Sequence, residues 1–378
     1  MLLSWILALV CISSTSSLSL GTKPLSSLIR RPFHSVVAIF KQPSFTENHY
    51  SRLLMSTSST SSETKSGKSK RSGIRSSPAG VAGAVCLFSV GLNQLLAYYS
   101  ANGNASYQFL LSLGIGTIAL QWLVFFVHAS GLLFGNERTE KYYDLTGAST
   151  FILSTLMSTL VLGYNSLSHR QIILTGFVLC WAGRLGSFLY DRVCKHNGID
   201  SRFTEIKKNL GRFLVAWTLQ GVWIFITALP VFALNSMPDM NPTLSMQDFV
   251  GFFLWITGFL IEVTADHQKS VWRVDTANKD KFIDVGVWKW SRHPNYFGEI
   301  LLWIGVFLSA SNAFNTTQKV ACLSSPVFVA LLLIFVSGIP LLEKASDAKF
   351  GKIGEYQTYV ENTPVLIPFI GRKGRANF

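Results

Sequence analysis

The stretch GVWKWSRHPNYFGE, residues 286–299, decides how this chain folds. Nine of its fourteen residues are charged, aromatic, His or Asn, yet apolar runs at 247–265 and 297–312 flank it. A soluble loop carries such a mixture at little cost. A loop held against a bilayer between two spans must satisfy each polar group internally, through water or through a ligand. The segment therefore reads as a site for a polar, anionic ligand presented by an integral membrane protein.

The composition agrees. Of 378 residues, 49% are hydrophobic and only 14% charged, where soluble domains carry roughly 25% charged residues. Further apolar segments lie at 79–99, 107–134, 147–165, 171–190, 211–234 and 320–342. Each long run approaches the ~20 residues a helix needs to cross a bilayer. The segment at 297–312 is short and admits a re-entrant course. The expected fold is an all-α polytopic membrane protein with about seven to eight transmembrane helices.

Loop charges give the orientation. Taken as eight spans, the connections on one side (135–146, 191–210, 266–296 and the tail from Glu343) are rich in Lys and Arg, whereas the opposite set holds only Arg170 and Lys319. Basic loops stay on the side of synthesis, so the basic end is expected to face the cytosol or stroma. The sequons at Asn104 and Asn315 fall on the poorly charged side. Residues 1–78 read as a targeting leader. A short apolar core, WILALVC, is followed by a Ser/Thr-rich, basic segment, and residues 1–80 hold ten Lys/Arg against Glu47 and Glu63. Such a leader fits a bipartite plastid address or an endoplasmic-reticulum signal with a disordered extension. Residues 79–378 form the membrane domain. About +5 of the net charge of +13 remains outside the leader, so no nucleic-acid partner is implied. The five cysteines are scattered without metal-ligand spacing, and no metal site is expected.

The unusual polar residues gather on the basic side. Arg184 lies inside the fourth apolar run, where one charge costs ~2.5–3.5 kcal/mol on insertion scales, so a partner or ligand must compensate for it. Glu262 and Asp266 are spaced i, i+4 on one helical face, and Lys269 and Arg273 continue near it. Pro294 suits the first turn of a helix, with Arg292 and His293 just before it and Asn295, Tyr296 and Glu299 following. A helix start beside cations favours phosphate. An Arg184–Glu262 pair serving only to hold helices together is the bland reading.

Several stretches together resemble the steroid 5α-reductase-like superfamily: WAGRLGSFLYDR, DSRFTEIKKN, IEVTADHQKSVWR, SRHPNYFGE and EYQTYVENTPVLIPF, between Arg184 and Pro368. The resemblance implies a helical membrane enzyme that binds NADPH in a cavity open to the cytosolic face. Such an enzyme reduces a carbon–carbon double bond conjugated to a carbonyl. It places Arg184, Asp266, Arg273 and Asn295 at cofactor-contacting positions, with Arg292, His293, Tyr296 and Glu299 in the same signature and Tyr356 in the tail. The donor to the substrate carbonyl is not matched by motif. The nearest candidates are Tyr143 and Asp144 in TEKYYDLTG, a Tyr that a carboxylate would orient; an interfacial Tyr with a helix-capping Asp is the alternative. The implied partners are a lipophilic small-molecule substrate and membrane lipids, with oligomeric state left open. Two other functions share these features: an S-adenosylmethionine-dependent methyltransferase of the isoprenylcysteine or phospholipid type, and a non-catalytic lipid-binding protein.

Overall fold

The computed structural model describes residues 78–370, apart from 102, 136, 161–166, 196 and 240, together with Gly374. The expected targeting leader lies outside the described residues except at its last position, Pro78, which already begins a helix. Among the described residues there are helices and no strand: the protein is an all-α polytopic membrane protein. The helices are α1 (Pro78–Ser100), α2 (Asn104–Val124), α3 (Tyr143–Thr159), α4 (His169–Lys195), α5 (Leu210–Asn235), α6 (Met246–Val274) and α7 (Pro294–Ala310). There follow α8 (Thr316–Cys322), α9 (Ser324–Leu331), α10 (Ile339–Phe350) and α11 (Gly354–Asn362).

Seven helical stretches among the described residues are long and apolar enough to cross a membrane. The segment at 297–312, expected to be the short one, sits in a stretch of 20 residues and qualifies. The segment at 147–165 is the one that falls short. It forms α3 with 17 residues, a length of about 26 Å. Even so, α3 runs beside α5 from end to end. Tyr143 Oη donates to Ala216 O (3.0 Å) at one end, and Asn235 Nδ2 donates to Ser158 Oγ (2.9 Å) at the other.

The sequence of α5 explains its place. It is apolar on every side, and a helix without a polar face is stable only inside a bundle. Phe213, Trp217, Phe225 and Phe232 are fully buried, and almost every residue from Phe213 to Asn235 is buried. Trp181 of α4 and Trp303 of α7 pack edge to face at 5.0 Å, and Phe151 of α3 joins them.

Helices α6 and α7 pack antiparallel and very close, because glycines alternate at their interface. A Cβ on Gly258 would lie 2.5 Å from Gly298 O, and one on Gly298 2.5 Å from Gly258 O. Gly251 and Gly305 repeat the arrangement one heptad along, at 2.7 and 2.5 Å. Small residues let helix backbones approach in this way where lipid offers no hydrophobic drive.

The two ends of the bundle differ sharply. At the end away from the basic loops, Arg170 is fully buried and satisfied by Asp248 (2.6 and 2.9 Å), Asp239 (2.6 Å) and the carbonyls of Asn241 and Thr243. At the basic end, Lys207 Nζ meets the buried Glu140 (2.8 Å), and Arg138 donates to the carbonyls of Lys207 and Lys208, each at 2.8 Å.

Candidate functional site

Three helices bring a polar cluster together at the basic end. Arg184 projects from α4 between two carboxylates of α6, with Nη1 2.6 Å from Glu262 Oε1 and Nη2 2.5 Å from Asp266 Oδ2. The i, i+4 spacing of Glu262 and Asp266 lets one guanidinium bond both. Across the glycine contact, Asn295 Nδ2 donates to Asp266 Oδ1 at 3.3 Å. Glu299, one turn further along α7, faces Glu262, Asp266 and Arg184. The close approach of α6 and α7 makes this meeting possible: a Cβ on Gly298 would also lie 2.8 Å from Glu262 N. Two buried acceptors in the cluster, Glu262 Oε2 and Asn295 Oδ1, have no hydrogen-bond partner among the described residues.

Outward from the cluster the charge turns positive. Lys269 interacts with Arg273, Asp266 and Arg192, and Arg273 with Arg192. Lys269 lies 4.5 Å from the Trp288 ring centroid. Among the described residues, neither Lys269 nor Arg273 forms an ion pair with an acid. Lys269 and Arg273, close together and outside any ion pair, suit an anion, because each cation raises the cost of the next until an anion arrives.

Arg292 and His293 take up a different position. Both are buried and both bind Glu343 of α10: Arg292 Nη1 at 2.8 Å from Oε2, His293 Nε2 at 2.8 Å from Oε1. Arg292 also donates to Gly374 O (2.8 Å) and, through its backbone N–H, to Pro364 O (2.9 Å). The pair thus clamps α10 and the tail onto the start of α7, with Pro294 at the first helical position as its rigid ring favours. Burial holds the His293 imidazole below its ordinary pKa, and Glu343 opposes that shift only in part. The Tyr296 ring stacks on His293, centroids 5.7 Å apart, and its phenol lies toward Asp266 and Glu299. Tyr356 serves the tail itself, donating to Asp347 (3.2 Å) and packing against Phe282.

Tyr143 and Asp144 are adjacent but turn to separate partners. The Tyr143 hydroxyl donates to Ala216 O and its ring packs on Phe203 and Trp217. Asp144 pairs with Arg202 (2.8 Å) and Arg192 (3.4 Å), beside Asp200. Burial works to raise Asp200, but the hydrogen bonds and charge of Arg202 hold it below the usual carboxylate range. Asp144 therefore does not orient Tyr143; it ties the loop after α4 to the first turn of α3.

Sequence reasoning missed three acids that organise this end. Glu140 receives Lys207 and the Asp200 N–H, Asp200 receives Arg202, and Glu343 receives both Arg292 and His293. The available signal was scarcity: Glu343 is a single acid directly after the final apolar run.

Comparison with known proteins gives the following. Residues 133–363 match the family described as Protein of unknown function (DUF1295). Over 227 residues the chain is 24% identical to an uncharacterized protein of Schizosaccharomyces pombe, covering 53% of this chain and 64% of that one. Over 121 residues it is 26% identical to the 3-oxo-5-alpha-steroid 4-dehydrogenase 1 of Homo sapiens, covering 32% of this chain and 41% of the human protein. The protein of that name from Macaca fascicularis is equally similar, at 26% over 121 residues. The chain thus spans less than two thirds of the length of each relative. No solved structure matches it.

Proposed function

The chain belongs to the DUF1295 family, and on that premise we propose that it is a membrane oxidoreductase using NADPH to reduce a carbonyl-conjugated carbon–carbon double bond in a lipophilic substrate. The observation that carries the proposal is the cationic rim of Lys269 and Arg273 beside a buried cluster holding two acceptors unpartnered among the described residues. Those residues fit the cofactor. Lys269 and Arg273 suit its phosphates, while Asn295 Oδ1 and Glu262 Oε2 can accept from its hydroxyl and amide groups. Bound NADPH supplies the hydride.

The protein's own groups do the rest. Arg184 holds the Glu262 and Asp266 side chains in place, and Asp266 in turn aims Asn295. The Glu343 clamp fixes the start of α7, so that Asn295, Tyr296 and Glu299 project from a rigid turn. The buried Trp181 and Trp303 close the inner side against water, which strengthens every charge interaction in the cluster. As enolate charge develops, the carbonyl oxygen needs a hydrogen-bond donor. Tyr143 can act in that role only by exchanging Ala216 O for the substrate. A sterol, isoprenoid or fatty enone satisfies this description, and the leader directs the enzyme to a plastid or endoplasmic-reticulum membrane.

Parallel thermal-shift titrations of the detergent-purified protein with NADPH and S-adenosylmethionine test the proposal. A ligand at 100 times its Kd stabilises the folded state by about 2.7 kcal/mol. NADPH alone is expected to stabilise, with the effect reduced in Asn295→Ala, which removes an orphan acceptor without touching the helix core. Stabilisation by S-adenosylmethionine alone would make this a methyltransferase. Silence toward both would leave a lipid-binding protein.

A further inference from the structure

Away from that site, a groove of about 390 Å³ runs between α2 and α3, lined by Leu120, Val124, His128, Tyr142, Leu145 and Ser149 among others. Its volume lies within the 300–1,000 Å³ of small-molecule sites. The polarity of its lining is graded. Leu120, Val124 and His128 follow one another at i, i+4 and i+8 along one face of α2 and the π-turn that ends it. They descend from the basic end by about 6 Å per turn of four residues. Tyr142 stands at the same end, its ring 4.7 Å from His128, and Leu153 lies three turns deeper on α3.

The polar groups at the mouth are available. The side chains of His128, Tyr142 and Lys141, and of Ser149 about two turns deeper, make no hydrogen bond or ion pair among the described residues. Lys141 Nζ lies 5.3 Å from the centre of the Tyr142 ring. By contrast, Thr146 and Thr150 turn their hydroxyls back to their own helix, at 2.7 and 2.8 Å. The π-turn, closed by Ser130 N–H to Phe125 O at 2.8 Å, adds a residue to α2 at the level of His128. Such insertions are frequent at functional sites. All four available groups can donate: imidazole, phenol, hydroxyl and ammonium. Donors gathered at the headgroup end of an apolar trough complement an amphiphile whose head presents oxygen acceptors and whose chain points inward.

We propose that the α2–α3 groove is a binding site for a single-chain lipid with an acceptor head, a carboxylate or ketone, held by His128, Tyr142 and Lys141. The site stands independently of the reductase reading, because it requires neither NADPH nor turnover. It gives a lipophilic molecule a place on the bilayer side of α3, while Asp144, Ala148 and Phe151 on the same helix face inward toward Trp181 and Gln220.

Photo-crosslinking tests it on the full chain in nanodiscs. The probe is palmitic acid carrying a diazirine near its tail, and labelled residues are mapped by peptide mass spectrometry. Label is expected on the groove segments 120–128 and 145–153, displaced by unlabelled palmitate and abolished in Ser149→Trp. His128→Phe with Tyr142→Phe, at the mouth, should weaken competition about fivefold for each lost hydrogen bond. This second variant decides the matter if Ser149→Trp fails to fold. A diazirine phosphatidylcholine should label the groove poorly. Equal labelling by the diacyl lipid, undisplaced by palmitate, would show boundary lipid only and overturn the proposal. So would label spread evenly over the outer faces of α1, α4 and α6, or unchanged competition in the mouth variant.

Discussion

Replacing Gly298 by Ala adds one methyl group where no space exists. Its Cβ would lie 2.5 Å from Gly258 O and 2.8 Å from Glu262 N, both backbone atoms of α6. Ordinary contact begins at 3.4 Å, so α6 must retreat by about 0.9 Å. Neither helix can yield locally, because Gly251 and Gly305 hold the same approach one heptad away. Overpacking of this kind costs typically ~1–3 kcal/mol, roughly 2–5 °C in the apparent Tm of a domain of this size. The retreat also stretches the 3.3 Å bond from Asn295 to Asp266 past hydrogen-bonding range, so NADPH stabilisation should shrink together with Tm. Gly183→Ala is the control. Gly183 lies in α4 with nothing within 4 Å of its Cβ position, and there Ala gains ~0.5–1 kcal/mol over Gly in a helix. Differential scanning fluorimetry of both variants in one detergent, with and without NADPH, measures the contrast. A Gly298→Ala protein as stable as Gly183→Ala would refute the close approach of α6 and α7, and with it the geometry that assembles the site.

Arg184→Met strands the buried Glu262 and Asp266 carboxylates, and loss of one partner from a buried pair costs about 3–5 kcal/mol; a wild-type Tm in that variant would count against the pairing. Arg273→Ala, at an exposed position without an ion pair, should leave Tm unchanged and weaken NADPH binding about tenfold, the value of one charge-assisted contact, as read by the same titration. The folded-state pKa of His293 lies below the ordinary 6.5, so the unfolded chain takes up the proton first as pH falls. The stability held by the neutral imidazole is complete above pH 6.5 and declines as pH drops through the folded pKa. Unfolding followed from pH 7.5 to 5 should show this decline in wild type and lose it in His293→Gln.

The sequence by itself determined the class of this protein and the ingredients of its site. Apolar runs of near bilayer length leave a chain no choice but helices, because unpaired backbone groups cannot remain in lipid. Arg184, Glu262 and Asp266 were legible because a charge inside an apolar run demands a partner, and i, i+4 spacing places two carboxylates on one face. Pro294 marked the start of α7 through its missing N–H. Tertiary structure decided how those groups are shared out, since a side chain's partner depends on which helices touch. Arg292 and His293 have the residue types of a phosphate site, yet they meet Glu343, 50 residues away from His293, and become a clamp. Tyr143 and Asp144 are neighbours in sequence, but one turns to α5 and the other to the loop after α4. Glycines 251, 258, 298 and 305 look unremarkable along the chain. Only the pairing of α6 with α7 shows that the absence of four side chains brings Asn295 to Asp266.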